Sequence, residues 1–146
     1  MEEGHRLMRY WLFKSEPSVW GWADQVARGD KGEEWDGVRN YQARNFMREM
    51  AVGDRGFFYH SQDEKAVVGV VEVIAPAHPD SSTDDPRWEC VDIKAVKAVK
   101  TPVTLEQIKN DPRLSEMALV RQSRLSVQPV TDEEWRIVCA LAGIEP

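Results

Sequence analysis

The chain has 146 residues, of which 42% are hydrophobic and 30% are charged, the composition of a folded protein. Its net charge of -6 argues against a broadly basic protein that coats nucleic acid, although clustered arginines could still bind phosphate. Cys90 and Cys139 are isolated, which predicts buried thiols in a reducing compartment and no disulfide framework. Because we see no signal peptide and no apolar run of membrane-spanning length, we expect a cytoplasmic protein.

The predicted elements alternate strands with short helices. We expect strands over residues 10–14, 56–61, 66–75, 88–100 and 124–128. We expect helices over residues 22–28 and 41–50, and two more that are opened by the capping boxes at 104–107 and 131–134. The crowding of Pro, Asp, Ser and Thr predicts a loop over residues 76–86, and the broken alternation after Ala95 predicts a bulge.

This order of elements predicts an α+β fold, in which a strongly bent mixed sheet closes towards a small barrel flanked by short helices. No internal repeat, low-complexity tract or linker interrupts the sequence. We therefore expect one domain over residues 10–146, preceded by an N-terminal extension over residues 1–9. No heptad seam is visible in the sequence, and we expect a monomer.

The segment from Trp35 to Asn45 is the most informative part of the sequence. It gathers two aromatic residues, two arginines and two asparagines around Gly37. Asn40 suits the N-cap of the following helix, because its side-chain oxygen can accept a bond from a first-turn N–H. Trp35 would then present an aromatic face beside a helix N-terminus with exposed N–H donors. Such a site suits a planar ligand with acceptor atoms or a nearby phosphate.

Other segments add hydrogen-bond donors of the same kind. The full set comprises Lys14, Ser15, Arg39, Asn40, Arg44 and the run Arg121, Gln122, Ser123 and Arg124. Arginine binds two phosphate oxygens with its planar fork, whereas asparagine, glutamine and serine match the edges of bases. Trp35 would supply a stacking face for a base, and Tyr59 or Trp88 would supply the opposite wall.

Residue types that serve catalysis occur, but their pattern does not favour it. His60, Ser61 and Asp63 are the types of a hydrolytic triad, yet adjacent strand residues point to opposite faces. The histidines have no metal-site spacing with one another or with the cysteines, and no glycine-rich phosphate loop is visible. We therefore predict no catalytic residue, no metal site and no cofactor.

Five blocks of sequence, in order, resemble the EVE domain family. They are YWLFKSEP at residues 10–17, WDGVRNYQARN at 35–45, FFYHS at 57–61, PRW at 86–88 with VD at 91–92, and RQSRLSVQP at 121–129. The resemblance runs from about residue 10 to the C-terminus. It implies a PUA-like fold, related to the YTH and ASCH domains, and a single EVE domain over residues 10–146.

The resemblance also implies a non-catalytic module that reads a modified base, 5-methylcytosine or an oxidised derivative, flipped out of nucleic acid. DNA is the favoured partner and RNA the second, with no membrane partner. The base pocket is then expected at Lys14, Ser15, Trp35, Val38, Asn40, Tyr59, His60, Ser61 and Trp88. The flanking phosphates are expected at Arg39, Arg44, Arg121 and Arg124.

Two other functions stay open on the sequence alone. The same pocket could bind a free nucleoside or act on a modified RNA, which would need a general base. The candidates for that role are Glu16, Asp36, Asp92 and His60. The pocket could also be vestigial in a protein-interaction module. Because no two of these groups form an evident acid–base pair, we expect no catalysis.

Overall fold

Six strands and five α-helices make up the part of the chain that the computed structural model describes, residues 8–62 and 64–146. The strands are β1 (Tyr10–Ser15), β2 (Glu33–Glu34), β3 (Arg55–His60), β4 (Ala66–Pro79), β5 (Glu89–Thr104) and β6 (Val127–Val130). The helices are α1 (Trp22–Ala27), α2 (Tyr41–Glu49), α3 (Leu105–Lys109), α4 (Ala118–Arg121) and α5 (Asp132–Ala142). None of these helices is long and apolar enough to cross a membrane. Most of the predicted N-terminal extension, and Asp63, lie outside the described residues.

The six strands form one mixed sheet in the order β2–β5–β4–β3–β1–β6. β1 and β3 are parallel, and every other neighbouring pair is antiparallel. This arrangement confirms the predicted α+β fold with a mixed sheet and short flanking helices. In the described part of the chain no pairing joins β2 to β6, so the sheet stays open and does not close into a barrel.

A bulge bends the two longest strands. Val70 pairs with Lys97 and Val71 with Ala95, so Val96 is an extra residue on β5. This register shift confirms the bulge that the broken alternation near Ala95 predicts. A residue inserted on one strand increases its local bend and twist, so the β4–β5 pair curves instead of lying flat.

Two predicted boundaries are wrong where the chain contains proline. The predicted loop at 76–86 starts too early, because β4 continues to Pro79. The predicted strand at 124–128 is shifted, because β6 begins at Val127 and includes Pro129. In both places the strand pairs with a neighbour on one side only, where a residue without an N–H is tolerated. The prediction also lacked β2, since two residues carry no periodic signal.

Alternating side chains build two hydrophobic cores on opposite faces of the sheet. One core is covered by α3 and α5 and contains Phe57, Tyr59 and Trp135. The other is covered by α2 and contains Phe58 and Trp35. Trp35, the centre of the predicted site, therefore lies on the face opposite Tyr59.

The capping signals in the sequence are confirmed. Asn40 Oδ1 accepts a hydrogen bond from Ala43 N at 2.8 Å, which starts α2 as predicted. Thr104 and Thr131 each form a capping box, at the start of α3 and of α5 respectively. These caps satisfy N–H groups that have no partner within the helix. The starts of three helices therefore follow from short local patterns.

Gly69 allows α1 to pack closely on the sheet. It pairs with Phe58 beside a register shift in the β3–β4 ladder. A Cβ atom built at Gly69 would lie 2.4 Å from the ring of Trp22, the first residue of α1. Trp22 also donates its backbone N–H to His60 Nε2 at 3.0 Å, which attaches the same helix to β3. A side chain at position 69 would push this ring away from the sheet.

We predict that Gly69→Ala lowers the free energy of unfolding by roughly 1–3 kcal/mol, the usual cost of overpacking a core. Urea denaturation monitored by circular dichroism measures this change. The double variant Gly69→Ala/Trp22→Leu should lose less than the sum of the two single variants, because the smaller side chain relieves the clash. Additive losses, or an unchanged stability of Gly69→Ala, would contradict this explanation.

Candidate functional site

A cavity of about 500 Å³ opens between the end of β1, the loop from β2 to α2, and the residue before β6. Its wall is formed by Lys14, Ser15, Glu16, Val19, Trp20, Glu33, Glu34, Trp35, Asp36, Gly37, Val38, Arg39 and Ser126. β2 is one edge of the sheet, and Ser126 directly precedes β6, the other edge. The open sheet therefore curves until both of its edges reach the same cavity.

The turn after β1 closes one side of the cavity. β1 ends before Pro17, as predicted, and Glu16 O accepts backbone bonds from Val19 N and Trp20 N, both at 2.9 Å. Ser15 Oγ donates a further hydrogen bond to Trp20 O. These bonds hold the backbone of Trp20 at the cavity wall, while the 74% exposed side chain of Val19 lies at the rim.

Among the described residues two tryptophans line the cavity, and other side chains hold both of them. Trp35 is only 8% exposed. Its ring contacts those of Phe13 and Phe58 edge-on, with centroid separations of 5.4 and 5.8 Å. Trp20 donates its Nε1–H to Gln25 Oε1 at 3.0 Å, and the buried Gln25 donates to a backbone carbonyl of β5. Both rings are therefore oriented before any ligand arrives.

The cavity wall is acidic. Its described carboxylates are Glu16, Glu33, Glu34 and Asp36, and its cations are Lys14 and Arg39. Burial, and next the charges of Asp80 and Glu34, raise the pKa of Asp36. Burial lowers the pKa of Lys14, whose Nζ donates to Ser123 O at 2.6 Å. This balance of charge favours a ligand that offers hydrogen-bond donors and disfavours a phosphate inside the cavity.

Asp80 anchors the loop that carries the cavity wall. Its 1% exposed side chain accepts hydrogen bonds from Gly37 N at 2.9 Å and Arg39 Nη1 at 3.1 Å. Ser82 N donates to the other carboxylate oxygen at 2.8 Å. Against the penalty of burial, the bonds from Ser82, Gly37 and Arg39 lower the pKa of Asp80 to about 2. Since Gly37 has a φ of 79°, this turn depends on a glycine as well as on Asp80.

We predict that Asp80→Asn lowers the free energy of unfolding at pH 7 by roughly 1–3 kcal/mol, because its donors lose a charged acceptor in a buried place. A carboxylate with a lowered pKa contributes full stability above its unfolded pKa, near 4, and loses this contribution as the pH falls towards 2. The difference in the free energy of unfolding between variant and parent, measured by urea denaturation, should therefore shrink as the pH falls from about 4 to about 2.

The matched control Asp84→Asn, which replaces an exposed carboxylate on the same loop, should leave stability nearly unchanged. A loss that does not depend on pH would contradict the assignment.

The structure brings some of the predicted site residues together and separates others. The predicted residues that line the cavity are Lys14, Ser15, Trp35, Val38 and Arg39. Asn40 lies instead at a smaller depression of about 300 Å³, which it shares with Arg124 and Gln122. Arg121 lies on α4, where its Nη2 is 3.4 Å from a carboxylate oxygen of Glu116. The predicted phosphate contacts therefore do not form one continuous surface.

Three predicted pocket residues of the β3 segment lie outside the cavity wall. Tyr59 is 3% exposed in the core on the opposite face, where burial raises its pKa to about 12. His60 accepts the hydrogen bond from Trp22, and Ser61 donates its backbone N–H to Ser15 O at 2.9 Å. The run of aromatic residues in β3 shows that the strand is buried, but not which residue faces which side.

Trp88, which is only 9% exposed, also lies outside the cavity, beneath a cluster of arginines. Its ring stacks on that of Tyr41 with centroids 4.8 Å apart. The guanidinium groups of Arg39 and Arg44 lie 5.3 and 5.9 Å from the Trp88 ring. Arg87 Nη1 donates to the Tyr41 hydroxyl at 3.2 Å. We call the surface of Arg39, Arg44 and Arg87 around these two rings the arginine patch; Arg39 joins it to the cavity.

Comparison with known proteins assigns this chain to a family. A model of the EVE domain matches residues 9–141. The chain belongs to the EVE domain family. Thymocyte nuclear protein 1 of Mus musculus is 36% identical over 98% of this EVE domain protein and 77% of its own length.

Solved structures of similar proteins share the fold. A protein from Agrobacterium tumefaciens is 56% identical, with a TM-score of 0.92 over 93% of this chain and 94% of that chain. Human THYN1 protein in complex with 5-methylcytosine-containing DNA is 34% identical, with a TM-score of 0.85 over 94% of this chain and 99% of that chain. The predicted family is therefore confirmed, and so is the predicted fold.

The sequence analysis did not assign several residues that line the cavity of this EVE domain. The ones it placed in no site are Val19, Trp20, Glu33, Glu34, Gly37 and Ser126. The position of Trp20 was a usable signal, because it follows the bend at Pro17 by only three residues. A turn there brings Trp20 back towards the end of β1, where the cavity lies. Glu33 and Glu34 carried none, since their position depends on pairing of β2 with the distant β5.

Proposed function

We propose that this EVE domain binds DNA and reads a modified cytosine, 5-methylcytosine in the first instance, flipped into the cavity. The observation that carries the proposal is the pair of preoriented rings, Trp20 and Trp35, in the wall of the cavity. The human relative in complex with 5-methylcytosine-containing DNA supports the choice of ligand. The cavity volume is also within the usual range for small-ligand sites.

The energetics of flipping are compatible with these two rings. Taking a base out of the duplex costs a few kcal/mol, and stacking on an aromatic side chain returns ~1–3 kcal/mol per base. Because the bonds of Trp20 and the core contacts of Trp35 already fix the rings, little further ordering is needed on binding. The remaining free energy must come from hydrogen bonds to the base edge.

The acidic wall supplies acceptors for such bonds. Cytosine carries an amino group at N4, which donates to carboxylates. Glu34 already accepts from Ser81 N and Ser81 Oγ, at 2.7 and 2.5 Å, so Asp36 is our candidate acceptor for the amino group. Four carboxylates in one wall also repel phosphate, which supports entry of a base while the DNA backbone stays outside.

The DNA backbone would then contact basic residues outside the cavity. The arginine patch begins at the cavity rim with Arg39 and continues to Arg44 and Arg87. On another side, the exposed Arg124 lies at the smaller depression beside Asn40. Arginine is suited to this role because its planar guanidinium can bind two phosphate oxygens.

We predict that Trp20→Ala weakens binding of DNA that contains 5-methylcytosine by roughly 5- to 150-fold, because the flipped base loses a stacking partner worth ~1–3 kcal/mol. The preference over cytosine should also fall, because the methyl group loses its apolar contact with the ring. Fluorescence anisotropy with labelled oligonucleotides of one sequence, with and without the methyl group, measures the affinity ratio. Trp20 is preferable to the deeply buried Trp35, whose removal would also destabilise the core.

The matched control for this experiment is Tyr41→Ala, which removes a 49% exposed aromatic ring outside the cavity. This variant should weaken both oligonucleotides equally and keep the affinity ratio. If Tyr41→Ala loses the ratio and Trp20→Ala keeps it, the base is bound elsewhere. Circular dichroism of both variants verifies that they remain folded.

We predict that Arg124→Ala weakens binding to modified and unmodified DNA equally and reduces the slope of log affinity against log salt by about 1. Arg113→Ala is the matched control, since it removes another exposed arginine, from the other face of the sheet, and changes the net charge identically. It should leave the slope unchanged. The alternative of a nucleoside-binding protein would be favoured by two results together. The affinity of the parent and of both variants would not depend on the salt concentration, and the protein would bind free 5-methyldeoxycytidine.

A further inference from the structure

A cluster of metal-ligating side chains lies where β2, β4 and β5 meet, apart from the base-stacking rings. Within the described residues, Glu34, His78 and Cys90 each present a ligand atom, and these atoms all lie within 4.8 Å of one another. Strand register explains the grouping: His78 is opposite Cys90, and Glu34 is opposite Asp92. Linear spacing did not predict this cluster, because cross-strand neighbours are distant in the sequence.

One distance in the cluster matches that of a tetrahedral zinc site. Cys90 Sγ lies 3.4 Å from Glu34 Oε1. With zinc bonds of about 2.3 Å to sulfur and about 2.0 Å to oxygen, tetrahedral geometry places these two atoms about 3.5 Å apart. Asp92 Oδ1 lies 2.7 Å from His78 Nε2 but does not belong to the group of mutually close ligand atoms, so it would have to rotate away from the ring to become a fourth ligand. The set of thiolate, imidazole and carboxylate is one that zinc accepts.

The hydrogen bonds of His78 show which ring nitrogen a metal ion could take. Nδ1 lies 2.9 Å from Pro79 O, and because a carbonyl can only accept, Nδ1 carries the hydrogen. A neutral ring would then aim the lone pair of Nε2 at the Asp92 carboxylate, so at a separation of 2.7 Å a proton lies between them, and a metal ion at Nε2 would replace this proton. Bonding of the second ring nitrogen to a backbone carbonyl is also how metal-ligating histidines are usually oriented.

We propose that Cys90 Sγ, His78 Nε2 and the carboxylates of Glu34 and Asp92 bind a zinc ion. Binding forms one metal–sulfur bond, one metal–nitrogen bond and two metal–oxygen bonds. The Cys90 thiol proton, and the Nε2 proton where the ring is charged, leave to solvent. Glu34 also lines the cavity and accepts a hydrogen bond from Ser81 N. The ion would therefore fix the position of one carboxylate in the acidic wall.

The competitor of zinc at this site is the proton. Burial, and next the Glu34 carboxylate, raise the pKa of the Cys90 thiol. Against the effect of burial, the hydrogen bonds to Asp92 and Pro79 raise the pKa of His78. Zinc affinity should therefore increase with pH, since two protons are displaced when both groups carry them.

Cobalt titration of the chelator-treated full chain tests the site. We expect one equivalent of Co²⁺ to bind and to give a sulfur-to-cobalt charge-transfer band in the near ultraviolet, which Zn²⁺ abolishes. Cys90→Ser should lack the band, and the matched control Cys139→Ser, which removes the other buried thiol, should retain it. A parent protein without the band, or a band that survives in Cys90→Ser and disappears in Cys139→Ser, would overturn the proposal.

His78→Ala provides a second test in case Cys90→Ser does not fold. The His78 side chain is 34% exposed, so its removal disturbs the core little. We expect zinc affinity, measured by competition with a chelating dye, to fall by about 10- to 100-fold or more. Unchanged affinity would overturn the proposal. Because no oligonucleotide is used, either result leaves the proposed reading of DNA untouched.

Discussion

The antiparallel pairing of β4 with β5 is the constraint on which the rest of the structure depends. These two strands carry side chains of both hydrophobic cores, and the extra residue Val96 curves them. Their far ends lead into the loop of Asp80, which holds the wall segment at Gly37. The same ends bring His78 beside Cys90. One ladder of backbone hydrogen bonds therefore positions the cavity wall and the cluster behind it.

Sequence alone was sufficient where the signal is local. The cap at Asn40, the capping boxes and the bulge near Ala95 each depend on a few neighbouring residues, and all are confirmed. Tyr59 could not be placed in this way. An aromatic residue in a strand can serve either face, and only packing against α5 or α2 decides which face it takes.

The cavity illustrates the same limit at a functional site. Trp35 was assigned from its own segment, whereas Trp20 depends on Gln25 and on a carbonyl of the distant β5. The acidic character of the wall comes from β2, whose two residues have no pattern of their own. The polar residues that hold a cavity in shape are therefore harder to predict than the rings that they orient.

The open sheet also has a consequence for contacts between copies of the chain. Unpaired edge strands are templates for aggregation, and long flat edges are the most dangerous. Here the strand at one edge is only two residues long and consists of Glu33 and Glu34, while the strand at the other edge contains Pro129, which offers no N–H. Short length, charge and proline are the devices by which natural sheets discourage pairing with a neighbour. The protein can therefore keep its cavity open between these two edge strands without offering them as templates for pairing with another strand.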